Sequence, residues 1–406
     1  LIIWTAVILP LLLAGVLYII WNHKITWWEL GLQVVVPIIL IGFAKGCIET
    51  TQTQATEYWG FSMSAAEYYE HWNEKVSCRH PISCSHPEYS TDSNGKRYQS
   101  GWKHSNDGYY HAYDVDEHEA YWEGISSSGK TISIDQTTYN RLVGQFGNNT
   151  WVNLHRKFHT INGNKYVTRW QGEWDRCEPV TEDHSYENRV QASHSVFNFA
   201  KVDPKDHNLF EHPKIVGYTQ RCVLGNAGLS TVHGEKKLAY LNATLGAARQ
   251  VRLYTLVFQN QPIQAAMDQE AYWKAGNKNE FITCIGVNDT YEVQWCHVFS
   301  WSEIEILKAE AKQKIIDQKQ LDLVAYADWL AEAIPAKWQR KNFHDFDYLT
   351  VDPPLSSVVW TFVITLIVSM GLGAWTVLNP LETGRERLDY SNVTGIFTGK
   401  GKEGRP

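Results

Sequence analysis

SSVVWTFVITLIVSMGLGAWTVL, residues 356–378, runs for 23 positions without a charge and follows Pro353 and Pro354. At about 1.5 Å rise per residue, a helix of this length spans a hydrocarbon core about 30 Å thick. Residues 1–21 are uncharged as well, and 30–44 are interrupted only by Gln33 and Pro37. No basic start or small-residue cleavage site marks 1–21 as a signal peptide, and a second apolar stretch follows at once. Trp21, Trp27 and Trp28 surround the short link between the first two segments, where interfacial aromatic side chains belong. The expected class is an α+β membrane protein: three transmembrane helices, two N-terminal and one C-terminal, carry a large soluble part.

The whole chain of 406 residues is 44% apolar and 13% aromatic, yet its mean hydropathy is −0.35. The segments between the apolar runs are therefore polar, as a water-exposed domain requires. A net charge of −7 and a pI near 6.2 argue against a protein built to neutralise phosphates, so no nucleic acid partner is expected. With three spans, the soluble part lies opposite both the link holding Lys24 and the tail holding Arg385, Arg387, Lys400, Lys402 and Arg405. The positive-inside tendency then makes the domain extracytoplasmic and the tail cytoplasmic, with Lys45, Arg340 and Lys341 weighing the other way. Beyond Cys47, six cysteines remain in the domain, the even number that disulfides in an oxidising compartment need.

The pattern along the chain divides into residues 1–46 (two spans), 47–215 (a β-rich module containing Cys and His), 216–350 (an α/β module), 356–378 (the third span) and a tail, 379–406. In the β-rich module, 65–76 (AAEYYEHWNEKV) reads as a short aromatic helix, and 118–123 and 131–134 read as strands. Asp135 caps a helix over 137–145 that ends at Gly147, and Asn162-Gly163 is the strongest hairpin signal, joining 151–160 to 165–170. In the α/β module the order is helix 234–249, strand 251–258 (VRLYTLVF), helix 265–274, and a hairpin of 281–287 with 293–299. A long helix over 303–334 follows, opened by Ser302 and Glu305 at capping-box spacing and ended by Pro335.

That second module resembles the TPM domain family, small α/β domains often tethered to membranes. The likeness lies in the order of elements and in Trp273-Lys274-Ala275-Gly276-Asn277-Lys278-Asn279-Glu280 leading into Phe281-Ile282-Thr283-Cys284-Ile285-Gly286. The resemblance covers about 110 residues, roughly 234–345, and implies a metal-dependent phosphatase or hydrolase, with Asp268, Glu280 and Asp289 around a cation. Asn279-Glu280 stands where many members have Asn-Gly. The whole layout also resembles uncharacterised membrane proteins of tailed bacteriophages, through Glu67-Tyr68-Tyr69-Glu70-His71-Trp72-Asn73-Glu74 running into Cys78-Arg79-His80-Pro81.

Four clusters carry candidate chemistry. Cys78, His80, Cys84 and His86 place four ligand-type side chains within nine residues, readable as a zinc site, as a Cys78–Cys84 disulfide, or as unlinked residues. In an extended strand, Asp114, Asp116 and His118 share one face and could hold zinc or another divalent cation; a solvated sheet face has the same pattern. Cys284 and Cys296 are equidistant from Thr290, which makes them candidates for a cross-strand disulfide or for buried free thiols. Arg156, Lys157, Lys165 and Arg169 stand among aromatic residues on the proposed Asn-Gly hairpin, where they suit an anion or lipid headgroup, or simply solvent. GxSxG, Walker, HExxH and dinucleotide-binding motifs are missing from the sequence.

The expectation is a membrane-anchored structural or interaction protein, self-assembling in the lipid bilayer as a homo-oligomer or joining an envelope or phage protein. The alternative is the TPM-like metal-dependent phosphatase, and a receptor or exclusion factor is a third reading.

Overall fold

All three apolar runs form helices in the computed structural model, which describes residues 2–21, 26–76, 86–103, 114–147, 149–153, 163–171, 177–193, 199–226, 228–351 and 353–378. After a 3-10 turn, Ile2–Val7, come α1 (Ile8–Trp21), α2 (Trp27–Thr53) and β1 (Gln54–Tyr69). Next are β2 (Trp72–Val76), β3 (His86–Thr91), β4 (Arg97–Lys103), β5 (Asp114–His118), β6 (Tyr121–Ser126) and β7 (Thr131–Ile134). The chain continues through α3 (Gln136–Phe146), β8 (Asn149–Asn153), β9 (Asn164–Arg169), β10 (Pro179–Glu187), α4 (Arg189–Ala192) and β11 (Val223–Gly225). It then runs α5 (Leu229–Arg249), β12 (Arg252–Gln259), α6 (Gln264–Tyr272), β13 (Glu280–Val287) and β14 (Val293–Phe299). The last elements are α7 (Glu305–Ile316), α8 (Leu323–Lys337) and α9 (Leu355–Leu378). The chain forms two compact units: Leu1–Thr56 with Ser185–Asn198 and Asn342–Pro406, and Glu57–His184 with Phe199–Lys341. Most of the β-rich and α/β modules read from the sequence thus falls in the second unit, with 47–56, 185–198 and 342–350 in the first.

In the first unit α1, α2 and α9 pack on one another. Each turns a stripe of four-residue spacing inward: Pro10 and Ala14, continued back to Ala6 of the 3-10 turn; Glu29, Gln33, Pro37 and Ile41; Thr361, Thr365, Ser369 and Gly373. Gly373 on α9 leaves room for the Leu17 side chain of α1, whose Cδ1 would lie 3.0 Å from a Cβ there. Thr26 and Glu29 close a capping box at the start of α2, where Thr26 N donates to the Glu29 carboxylate at 2.7 Å. Gln33 Nε2 donates to Thr376 Oγ1 at 3.3 Å, joining α2 to α9. The outer faces are apolar and open, with Trp28 83% and Ile19 79% exposed.

In the second unit, β1 is the centre of a six-stranded sheet ordered β7-β6-β1-β9-β8, with β10 also paired to β1. Residues 65–76, expected as a helix, are strand instead, because cross-strand stacking outweighs their helical spacing. Tyr68 lies between Trp122 and Tyr166 at 5.3 and 5.7 Å, each its register partner, and Tyr69 stacks on Tyr121 at 4.4 Å. Of the expected hairpin, β8 and β9 do pair antiparallel, Asn153 opposite Asn164, while Asn162 lies outside the described residues; a Cβ at Gly163 would meet His71 O at 2.9 Å. Asp135 caps α3 as expected, accepting from Thr138 N at 2.7 Å, and the helix lays Tyr139, Leu142 and Phe146 on Met63, Ala66 and Trp170. β2 with β5 and β3 with β4 form two-stranded ribbons.

The second sheet is β11-β12-β13-β14, parallel except for β14. Every residue of β13 is buried, as is nearly all of β12, the signature of a parallel sheet covered on both faces. β11 reaches only Thr255 to Val257, which leaves the start of β12 without a neighbour on that side. Asn242 of α5 fills the gap: Leu253 N donates to its Oδ1 at 2.7 Å and its Nδ2 donates to Leu253 O at 3.1 Å. The expected long helix is two helices. α7 stops at Ile316, and Asp322 starts α8 by accepting from Val324 N and Ala325 N at 2.9 and 3.0 Å. Ile304 occupies the N-cap of α7 without a side-chain cap, so the Ser302/Glu305 box does not form, and Pro335 lies inside the last turn of α8.

Candidate functional site

The register of β12 and β13 sets Arg252 beside Glu280 at the first position of each strand. Both side chains are buried, Arg252 at 2% exposure and Glu280 at 0%. Burying ions is costly unless they are partnered, so their partners define the site. Those of Glu280 come from the turn after α6, where Lys274, Ala275 and Gly276 take φ of +51°, +61° and +79°. Two of these are not glycine, and the left-handed region costs an L-residue about 1–2 kcal/mol. The turn is pinned by Ala275 N donating to Glu270 O at 2.8 Å and by Trp301 Nε1 donating to Gly276 O at 3.1 Å. Its return brings Asn277 N and Nδ2 to the Glu280 carboxylate at 2.9 and 2.7 Å, and His212 Nε2 meets the same carboxylate at 2.9 Å.

Burial disfavours the charged form of both partners, but for His212 the charge and hydrogen bond of Glu280 prevail and raise its pKa above the ordinary 6.5. Burial likewise acts on Glu280, and there the charge and hydrogen bond of His212, with Asn277, win and lower its pKa below 4.5. A raised histidine gives its full stabilisation below its unfolded value and loses it as pH climbs through the folded value. A lowered carboxylate gives its full stabilisation above its unfolded value and loses it as pH drops through the folded one. Both contributions are complete only between pH 4.5 and 6.5. The urea midpoint of the second unit should therefore gain from this pair most in that window. His212→Gln should flatten the alkaline side, and an undiminished alkaline decline in that variant would refute the pair's role.

Arg252 has different partners. Its Nη2 donates to Gln220 O at 3.1 Å, its guanidinium lies 5.4 Å from the centre of the Tyr254 ring, and its Nε has no hydrogen-bond partner. Gln220 holds the surroundings together: its Oε1 accepts from Tyr254 OH at 2.7 Å and its Nε2 donates to Pro213 O at 2.6 Å. Arg252 and Gln220 also line a cleft of about 790 Å³, walled by α3, the start of β10 and α5. Two carboxylates on its wall are committed elsewhere. Glu178 takes Arg141 in a two-pronged pair at 3.1 and 2.6 Å and Tyr218 OH at 2.7 Å; Glu235 accepts from Cys222 N at 2.9 Å and Val223 N at 2.6 Å. Burial and the neighbouring Glu178 push the Cys177 thiol up to about 11, which keeps it protonated and unreactive at neutral pH.

The residues singled out from the sequence do not converge. Cys78, His80, Cys84, Arg156 and Lys157 lie outside the described residues, and His86 opens β3 opposite Lys103. Asp114, Asp116 and His118 do lie at alternate positions of one strand, β5, and His118 stacks on Trp72 at 4.0 Å. Lys165 is bound to Glu67 at 2.5 Å and lies over Tyr69, whereas Arg169 is exposed. Cys284 and Cys296 are free thiols, since a bulge at Gly286/Val287 shifts the register and pairs Cys284 with His297 and Cys296 with Ile285. Facing residues of an antiparallel pair share a side, so the two sulfurs point to opposite faces of the sheet. Asp268 engages His207 and Gln264, Asp289 engages Asn260, and eight strand residues at ~3.3 Å each separate Glu280 from Asp289 by roughly 25 Å. Among the described residues, no group of three His, Cys, Asp or Glu side chains is arranged to hold a metal ion.

Arg252, Gln220, His212 and Glu235 were not anticipated. The one signal was in VRLYTLVF, where an arginine opens an otherwise apolar strand that must be buried on both faces. No protein-family model, curated protein or solved structure matches this chain.

Proposed function

We propose that this chain is an integral membrane protein that acts by interaction, anchoring its soluble unit to a bilayer and assembling there with copies of itself or with an envelope partner. The observation that carries the reading is the polarity of the three-helix bundle. Glu29, Gln33, Thr365 and Ser369 are turned inward, while Trp28, Ile39, Phe43 and Ile367 face outward at 63% exposure or more. Water does not favour such an outer surface and lipid does. The three helices, Ile3–Ile20, Trp27–Thr53 and Leu355–Leu378, are long and apolar enough to cross a membrane. Lys24 and the basic residues of 379–406 support a cytoplasmic link and tail, with the soluble unit on the other side.

The helix, strand, helix and hairpin order of residues 229–299 supports the likeness to TPM-type domains, and the phage-protein likeness of residues 67–81 rests on sequence alone. No observation favours the metal-dependent phosphatase, because Glu280 is enclosed by His212 and Asn277 and stands apart from Asp289. Native mass measurement on the full chain in detergent tests the assembly. A homo-oligomer or a retained partner is expected, and a strictly monomeric, partner-free species would remove the proposal.

A further inference from the structure

We infer that the cleft beside β12 is a binding site for a phosphate monoester, with Arg252 at its floor and Arg221, His233 and Lys236 on its walls. The site does not depend on the membrane reading, since every residue in it belongs to the second unit. Its charge is unbalanced in a chain that is negative overall, at −7. Of the cations lining it, Arg141 is matched by Glu178 and Lys237 by Asp328. Among the described residues, Arg221, Arg252, His233 and Lys236 have no carboxylate within salt-bridge distance. The lining carboxylates Glu178 and Glu235 are occupied by Arg141, Tyr218 and backbone N–H groups.

Arg252 is the deciding residue. A guanidinium removed from water needs a counter-charge, and its strand neighbour Glu280 is already held by His212 and Asn277. What remains beside it is an open cleft of about 790 Å³, within the range of about 300–1,000 Å³ typical of small-molecule sites. The planar fork of a guanidinium suits two oxygens of one anion. Three further cationic or protonatable groups, Arg221, His233 and Lys236, are exposed around it. That excess fits a doubly charged phosphate better than a single carboxylate, and it repels a metal cation. The bound group is either a soluble phosphate ester or the exposed phosphate of a lipid headgroup.

The full chain, placed in nanodiscs of neutral lipid and titrated calorimetrically with phenyl phosphate, should bind it saturably at one per chain. Arg221→Gln combined with Lys236→Gln alters only exposed side chains. It should weaken binding about tenfold or more, the loss of one or two charge-assisted contacts, while leaving thermal unfolding unchanged. Arg252→Lys keeps the charge but loses the fork and should weaken binding as well; if that variant misfolds, the exposed pair decides. Discs containing phosphatidic acid separate the two sources. Loss of phenyl phosphate binding there identifies a headgroup site, and unchanged binding identifies a site for a soluble ester. No saturable binding by the native chain, or binding untouched in the Arg221/Lys236 variant, overturns the inference.

Discussion

Glu57→Gln should destabilise the second unit by about 3–5 kcal/mol, the cost typical of removing one partner from a buried ion pair. Glu57 is 3% exposed at the start of β1, and it accepts twice from Arg340 Nη2, at 2.5 and 2.7 Å, with Lys278 Nζ at 3.6 Å. It is the counter-ion for two cations from remote parts of the chain, one in the turn before β13 and one just after α8. Glutamine keeps the shape and removes the charge, leaving Arg340 and Lys278 facing each other. The lysine provides a signature. Burial already lowers its pKa, Arg340 adds to that, and Glu57 is the group that opposes it. Without Glu57 the lysine pKa falls further, and a lowered lysine is penalised below its folded pKa and relieved as pH rises above it. The variant should therefore recover part of its lost stability toward pH 10, a larger recovery than in the native chain, whose lysine is lowered less. Urea unfolding followed by tryptophan fluorescence measures both, and a loss below about 1 kcal/mol would contradict the assignment.

Gly60→Ala should cost about 3 kcal/mol, the upper end of overpacking penalties. A Cβ at Gly60 would lie 2.0 Å from Asn242 O and 2.4 Å from its carbonyl carbon. One at Gly246 would lie 2.5 Å from Gly60 N. These are backbone atoms, so no rotamer change relieves the clash. The two glycines mark where β1 runs directly against α5, and the residue displaced is the same Asn242 that completes the hydrogen bonding of Leu253. Gly144→Ala in α3 is the contrasting case. Nothing lies within 4 Å of its Cβ position, and alanine should stabilise that helix by about 0.8–1.0 kcal/mol. Equal effects at the two positions, read from denaturation midpoints, would discredit the close contact.

Much of the architecture was legible from local patterns. The apolar runs became the three long helices, and Asp135 with Gly147 bounded α3. The α/β order from α5 to β14 followed its periodicity to within a few residues, apart from the earlier start of α5. What failed did so for non-local reasons. The stretch 65–76 carries helical spacing, but Tyr68 and Tyr69 find stacking partners 50 to 100 residues away that no local window contains. The break between α7 and α8 is held by the capping Asp322 and by contacts from distant residues: Leu321 N donates to Tyr291 O and Leu323 N to Ser230 Oγ, both at sequence separations no local window spans. The candidate site was harder still. Its floor is assembled from Arg252, which opens β12, and Gln220, whose carbonyl accepts from it across 32 residues of sequence, and cysteine and histidine spacing points elsewhere. Only the arginine in an apolar strand betrays it.

The hydrogen bond from Gln33 to Thr376 joins residues 343 positions apart in sequence. During synthesis the second helix is made long before the last one exists, so its glutamine must wait, hydrated or shielded by other means, while the intervening residues are translated. Closure of the helical trio is thus a late event in biogenesis. A chain interrupted anywhere before position 355 would carry two apolar helices whose Gln33 amide has no Thr376 to meet.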